Sequence, residues 1–509
     1  MSFHNSFQKT MIQKRQILVN AVMSVIQVVL NGGILFILYR FLLNTIGVER
    51  LGIWAVVLST TSVVLIANSG LSGSVVKFVA KYVARGQDET VSRIIQTATI
   101  SIGILLGFIL LAVYPFANWL LSLVIPVANL KDALSILPYS LLSLWIMAIA
   151  GVSQSSLDGY QRIDLRSVLL IASSLFYLLL CFLIVPAYGL MGLAYAQVTQ
   201  AFILLIGSWF LLKRCMRSLS IFPYKWDRKL FSEMVGYGLN FQVFSISQMF
   251  YEPITKVLLT KFGGIAMTGF YEMARAMIYQ LRTLLVAATQ VLIPTIADLQ
   301  EKNPKYIQKV YKDSYCLLFY IAVPFFSLII ILTPIISQLW IGQYENVFVR
   351  FSILLAVGWF ISTLTAPATF AFLGIGKLRW YTIGSVTIAV LNLSLGLLLG
   401  NIYGGTAVVA AWVFSLSLGS LISPISYHYS HKIPIIELLP KESTGIGLAS
   451  IAGLSICLVL YYQLELTPLA MAAILVLIFF SIVVIPFLLH PMSKRLVGWI
   501  KHELLKQSN

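Results

Sequence analysis

Glu252, Lys256, Glu272, Arg275 and Arg282 fall within or beside long apolar stretches, all in one short part of the chain. A charge at the centre of a bilayer costs roughly 2.5–3.5 kcal/mol on insertion scales, so such residues are candidates for ion or ligand recognition. Arg275 and Arg282 are seven residues apart and share one helical face, with Tyr271, Tyr279 and Thr289 on the same side. Glu272 precedes Arg275 by three positions, close enough to pair. Arg282 has no local acidic partner. A guanidinium at that depth must face water, a partner from another helix or an anionic ligand, and its planar fork binds phosphate bidentately. A buried ion-pair network locking two parts of the molecule is the other arrangement these residues support.

A second polar face precedes it. Ser245, Gln248, Glu252 and Lys256 follow one another at spacings of 3, 4 and 4, with Pro253 between the two charges. Glu252 and Lys256 can pair, and Pro253 should kink the helix beside protein or a water-filled cavity. Lys256 could instead snorkel to the outer interface. Near the start of the chain, Asn20, Ser24, Gln27 and Asn31 share a face at spacings of 4, 3 and 4. Such a face either lines a cavity or glues two helices together. Over the whole cluster Lys256, Arg275 and Arg282 oppose Glu252 and Glu272, and Lys261 adds charge nearby. A cationic pocket suits an anionic amphiphile better than a cationic drug.

The elements that must position these side chains are membrane helices. The chain has 509 residues, 59% hydrophobic and only 10% charged, with a mean hydropathy of +0.91. Soluble domains carry about 25% charged residues, and a crossing helix needs roughly 20 apolar ones. Fourteen spans are expected, at 17–39, 51–76, 94–121, 136–157, 167–187, 190–212, 234–255, 264–297, 313–341, 350–374, 379–401, 404–427, 443–463 and 467–489. The architecture is therefore all-α and polytopic.

The formal net charge of +17 suggests nucleic acid, but its distribution excludes that class. Twenty-seven Lys and Arg residues lie in one alternate set of loops, among them Lys77 and Lys81, and five in the other: Arg40, Arg50, Lys131, Lys261 and Arg350. Short cytoplasmic loops carry the positive excess, which places both termini in the cytoplasm and makes Lys77 and Lys81 candidates for a cytoplasmic entrance. The first apolar run is too long for a cleavable signal. Cys181, Cys215, Cys316 and Cys457 stand alone, and His428 and His431 lack a nearby carboxylate, so no metal site is expected.

The chain repeats itself. Gly52-Ile53-Trp54 follows Gly47 as Gly269-Phe270-Tyr271 follows Gly264, at an offset of 217; Tyr188-Gly189-Leu190 corresponds to Tyr403-Gly404-Gly405 at 215. The expected organisation is a six-helix lobe at 1–220, a second at 221–440, and two extra helices with a basic tail at 441–509. Two parallel repeats of six crossings put a pseudo-twofold axis along the membrane normal and a substrate site between them. The basic linker Lys213–Lys229, holding Pro223, is the expected hinge. Beyond the last span, Leu496, Trp499, Ile500 and Leu504 share one side of an amphipathic helix suited to the inner leaflet.

Several stretches resemble one family. Leu51-Gly52-Ile53-Trp54, Ala67-Asn68-Ser69-Gly70-Leu71 and Lys77-Phe78-Val79-Ala80-Lys81-Tyr82 resemble the second-helix pattern of polysaccharide transport proteins. So do Gly269-Phe270-Tyr271-Glu272-Met273-Ala274-Arg275 with Pro294, and Ala366-Pro367 with Gly374-Ile375-Gly376-Lys377. These are repeat-unit flippases of the multidrug/oligosaccharidyl-lipid/polysaccharide exporter superfamily. The resemblance implies a V-shaped pair of lobes around a central cavity lined by helices one, two, seven and eight. It implies a cargo of undecaprenyl-pyrophosphate-linked oligosaccharide, carried across the bacterial cytoplasmic membrane for O-antigen, capsule or exopolysaccharide. A polysaccharide polymerase and a chain-length regulator are the partners it suggests. Asn68 stands where many relatives place an acid, which leaves H+ or Na+ coupling through helix two open.

On this reading Arg275 and Arg282 contact pyrophosphate or acidic sugar, while Glu272 and Glu252 orient them or carry protons. Lys256, Gln248, Tyr279, Asn31 and Gln27 complete the expected cavity. No cofactor is called for. A cation-coupled multidrug exporter would need acids to dominate the cavity, and a lipid II flippase of cell-wall synthesis would be essential. A membrane glycosyltransferase would need a catalytic group on a sizeable outer loop, and neither a nucleotide-binding motif nor a nucleophile–base set occurs, so an enzyme is not expected.

Overall fold

The computed structural model describes residues 2–62, 66–216, 218–236, 248, 250–289, 292, 296, 299–300, 303–375 and 379–493. Ser245, Pro294, Lys377 and the expected amphipathic helix at Leu496–Leu504 lie outside them, as does most of the seventh expected span. The described regular elements are all helical. The longer ones are α1 (Ser2–Ser62), α2 (Ile66–Ala84), α3 (Asp88–Val124), α4 (Val127–Gly159), α5 (Ile163–Cys215), α6 (Tyr251–Gly263) and α7 (Ile265–Thr289). They continue with α8 (Ile307–Trp340), α9 (Asn346–Leu364), α10 (Ala366–Ile375), α11 (Arg379–Tyr403), α12 (Gly405–Ser430), α13 (Thr444–Gln463) and α14 (Pro468–Leu489).

Ten helical segments among the described residues are long and apolar enough to cross a membrane. Their outward surfaces agree. Phe108 and Leu111 are 70% and 74% exposed, an arrangement that would associate in water and is at rest only in lipid. This is a multi-pass membrane protein.

Two helices exceed one crossing. α1 has 61 residues and α5 has 53, about 90 and 80 Å against a hydrocarbon core of roughly 30 Å. Each breaks at a glycine, Gly47 (φ 80, ψ 167) and Gly189 (φ 56, ψ −130). The repeat partners are the residues that join the next helices: Gly264 (φ 87, ψ 169) between α6 and α7, and Gly404 (φ 78, ψ −164) between α11 and α12. Positive φ costs an L-residue about 1–2 kcal/mol, and glycine escapes that cost. These four glycines are thus backbone joints.

The second glycine of each motif does something different. A Cβ on Gly52 would run into the carbonyl of Ile265, and a Cβ on Gly269 would run into the carbonyl of Val48. Val48 with Gly52, and Ile265 with Gly269, are again 217 apart, so the contact is reciprocal. Two helix starts touch backbone to backbone there. Beside them Thr260 and Thr268 share a hydrogen bond of 2.9 Å.

The tenth expected span is split. α9 ends at Leu364 and α10 starts at Ala366, because Pro367 supplies no backbone donor and suits a first helical turn. Pro253 likewise falls in a first helical turn. It stands third in α6, where its missing N–H has no intrahelical partner to lose.

The chain forms two compact units, Met1–Gly269 and Phe270–Asn509. In the first, α4 packs along α5 and α3, α1 along α5, and α6 against α1. The expected hinge is not a free joint. Gln96 of α3 accepts from the backbone N–H groups of Tyr224 and Lys225, Thr97 accepts from Asp227 N–H, and the Trp226 indole donates to Ser101, all at 3.0–3.1 Å. These bonds strap the linker onto α3, and the first unit continues through Gly269. In the second unit, Ile331 and Ile335 of α8 pack with Cys457 of α13 and with Met471, Leu475 and Phe479 of α14.

Candidate functional site

In the second unit, α7 carries two arginines with different surroundings. Arg275 and Glu272 form a two-point pair, with Nη2 to Oε1 at 2.7 Å and Nε to Oε2 at 3.2 Å. Glu272 is buried and Arg275 half-buried. The i, i+3 spacing aligns the carboxylate with the planar fork, which fixes the Arg275 rotamer.

Arg282 lies two turns on, about 10 Å along the axis. Its guanidinium carbon stands 4.5 Å from the Trp359 ring centroid and 5.9 Å from that of Tyr279. Those rings meet edge to face at 5.5 Å, and Trp359 meets Trp412 in the same manner at 6.4 Å. The buried Nε of Arg282 makes no hydrogen bond, and no carboxylate pairs with the residue among the described side chains. The cation is therefore held by aromatic faces, which attract positive charge without using its N–H donors. Those donors stay available to an anion. Tyr279 is 40% exposed and forms the open side of this cage.

Trp359 comes from α9 and Trp412 from α12, well over seventy residues from Arg282 in sequence. Nothing local to α7 points to them. The only hint is that Trp359 and Trp412 sit inside apolar spans rather than at their ends, where interfacial tryptophans gather.

In the first unit, Lys256 is buried at 4% exposure, with its Nζ 3.7 Å from Glu252 Oε2. Lys256 does not snorkel out, because the i, i+4 carboxylate holds it. Gln248 is exposed and has an interaction partner.

The polar face of α1 divides. Asn20 is a seam: it accepts from Gln16 at 3.0 Å and from Asp164 N–H at 3.2 Å, and donates to Gln161 O at 2.9 Å. This network joins α1 to the start of α5, and Arg162 pairs with Asp164 beside it. Gln27 and Asn31, higher on the same face, are half-buried, and Asn31 Oδ1 is buried without a hydrogen-bond partner. Lys77 and Lys81 are exposed on α2, and Lys81 lies over the Phe78 and Tyr82 rings at 5.7 and 5.0 Å. Among the described residues no group of three His, Cys, Asp or Glu side chains is arranged to hold a metal ion.

Solved structures share this fold, and they are membrane transporters of the MOP superfamily. One is the lipid II flippase MurJ in an inward closed conformation: TM-score 0.69 at 13% identity, covering 94% of this chain and 100% of that one. Another is an inward-facing multidrug resistance MATE family transporter of the MOP superfamily: TM-score 0.66 at 16% identity, covering 80% and 94%. A third is a MOP superfamily transporter from Pyrococcus furiosus, with TM-score 0.58 at 14% identity over 81% and 95%. Identities this low establish the fold alone. By sequence, the chain belongs to the polysaccharide biosynthesis protein family, whose pattern it matches over residues 17–300, more than half its length. No curated protein matches it.

Proposed function

We propose that this protein is a flippase that carries undecaprenyl-pyrophosphate-linked oligosaccharide repeat units across the bacterial cytoplasmic membrane by alternating access. The observation that carries the reading is Arg282. A guanidinium on α7, caged by Trp359 and Tyr279 with its Nε unused, is a site for an anion. A pyrophosphate or an acidic sugar supplies that anion and matches the fork. Arg275, oriented by Glu272, is the second cation along the same helix. In the first unit Gln27, Asn31, Gln248, Glu252 and Lys256 supply polar lining, and Lys77 and Lys81 meet the cargo at the cytoplasmic entrance.

The proposed topology has fourteen crossings, with α1 and α5 each making two, and both termini in the cytoplasm. It comprises six-helix lobes at 1–220 and 221–440 and two added helices at 441–509. The reciprocal contact of Gly52 and Gly269 supports the repeat. The fold match to MurJ extends over 94% of the chain, against 80% for the multidrug transporter, which supports helices added to the shared architecture. A polymerase and a chain-length regulator are the proposed partners.

The test is lipid extraction and mass spectrometry from cells lacking the protein. Accumulation of a complete polyprenyl-pyrophosphate oligosaccharide is the expected result. Truncated glycans would point to assembly instead, and an unchanged lipid pool, in cells without a second flippase, would overturn the reading.

A further inference from the structure

The first unit carries a lateral groove of about 1040 Å3 between α3, α4, α5 and the strap. Gly103 and Gly107 open it, since neither puts a side chain between α3 and the Trp145 and Ile149 side chains of α4. Its α3 wall runs from Thr99 to Leu111, about 18 Å along a helix, close to the depth of one leaflet at half of roughly 30 Å. The wall is apolar from Ile100 onward. Polarity appears at one end only, where the strap and the last turn of α5 meet.

Two features of that end call for a ligand. Lys213 lines the groove, and no carboxylate pairs with it among the described residues. Arg214 lies beside it, stacked on the Phe210 ring of the groove wall at 4.5 Å. Asp164, whose charge reaches Cys215 next to this pair, is engaged by Arg162 at 3.0 Å. One turn deeper, the Trp209 indole N–H is buried and unpartnered, whereas its neighbour Trp145 donates to Gly103 O at 2.8 Å. A buried donor without an acceptor is costly.

We infer that this groove binds one anionic phospholipid from the leaflet on the side of the basic linker. One acyl chain lies along α3 over Gly103 and Gly107. The phosphate sits between Lys213 and Arg214, and an ester carbonyl, one level deeper, accepts from Trp209. Phe222 and Pro223 of the strap close the top, so the lipid adds to the hydrogen bonds that hold the strap on α3. The inference does not depend on the cargo.

The full-length protein is placed in phosphatidylcholine vesicles doped with brominated phosphatidylglycerol or brominated phosphatidylcholine, and tryptophan fluorescence is recorded. The difference between the native protein and Trp209→Phe isolates Trp209. Stronger quenching of that component by the anionic lipid is expected, with the preference falling about five-fold for each cation removed in Lys213→Gln and Arg214→Gln. Gly107→Leu should fill the groove and relieve quenching by both lipids with the charges intact. Equal quenching by both lipids, a preference unchanged in the glutamine variants, or unrelieved quenching in Gly107→Leu would each overturn the site. Displacement by an unbrominated polyprenyl phosphate, but not by phosphatidylglycerol, would reassign the groove to the cargo's tail.

Discussion

Arg275 and Arg282 have the same charge on the same helix face, but their environments give them different chemistry. Arg275 spends its fork on Glu272, while Arg282 is steadied by Trp359 and Tyr279 and keeps its donors. Charge-assisted hydrogen bonds contribute about 1.5–3 kcal/mol. Arg282→Ala should therefore lower repeat-unit export by about ten-fold or more at unchanged protein level, measured as surface polysaccharide per cell. Arg282→Lys should recover only part, because an ammonium lacks the planar fork. Full export in Arg282→Ala would remove that residue from the site. A second residue-scale prediction concerns His490, just beyond α14. Its Nδ1 accepts from Met492 N–H at 3.1 Å, so the neutral ring carries its proton on Nε2 and donates to Ser443 Oγ at 2.9 Å. Burial, partly offset by the Glu442 carboxylate, pushes its pKa below the usual 6.5. Protonating Nδ1 would also break the bond from Met492. The unfolded chain then takes up the proton first, so this contribution to stability is complete above pH about 6.5 and is lost as pH falls through the lower folded value. Thermal melts across pH about 5 to 8 should show a fall that His490→Gln flattens.

At the scale of elements, the glycines of the repeat do two jobs. Gly47 and Gly264 turn the chain with matching dihedral angles, and Gly52 and Gly269 let α1 and α7 approach backbone to backbone. Gly52→Ala and Gly269→Ala should each lower stability by about 1–3 kcal/mol, the usual range for overpacking, read as a drop in melting temperature in detergent. Gly73 is the control. Nothing stands within 4 Å of a Cβ placed there in α2, so Gly73→Ala should be neutral or slightly stabilising. Equal effects at all three positions would mean the close approach is not what these glycines serve. The pairwise glycine pattern was legible from spacing. The strap was not: Gln96, Thr97 and Ser101 read as ordinary polar residues near a helix start, and their acceptors matter only because the linker folds back over them.

For the whole molecule, the asymmetry of 27 against 5 basic residues sets the proposed orientation. Cysteine labelling checks it in a Cys215→Ser background, the other native cysteines being buried. A membrane-impermeant maleimide should reach Lys131→Cys in intact cells and Arg85→Cys only after permeabilisation. The reverse pattern would invert the topology.

The sequence alone determined that this is a polytopic helical membrane protein, and it singled out the ionisable residues of α6 and α7. These are one-dimensional properties. Hydropathy, loop charge and helical spacing act along the chain, and a charge in an apolar run is visible without knowing its neighbours. Tertiary structure decided what each polar residue does. It made Asn20 part of a seam with Gln161 and Asp164 while leaving Asn31 Oδ1 unpartnered on the same helix face. It placed the Trp359 ring over Arg282 with Trp412 against that ring, tied down the expected hinge, and put Pro253 in the first turn of α6. Each outcome depends on partners brought together from distant parts of the chain, and hydrogen bonds and ring contacts act only over a few ångströms of space, whatever the separation in sequence.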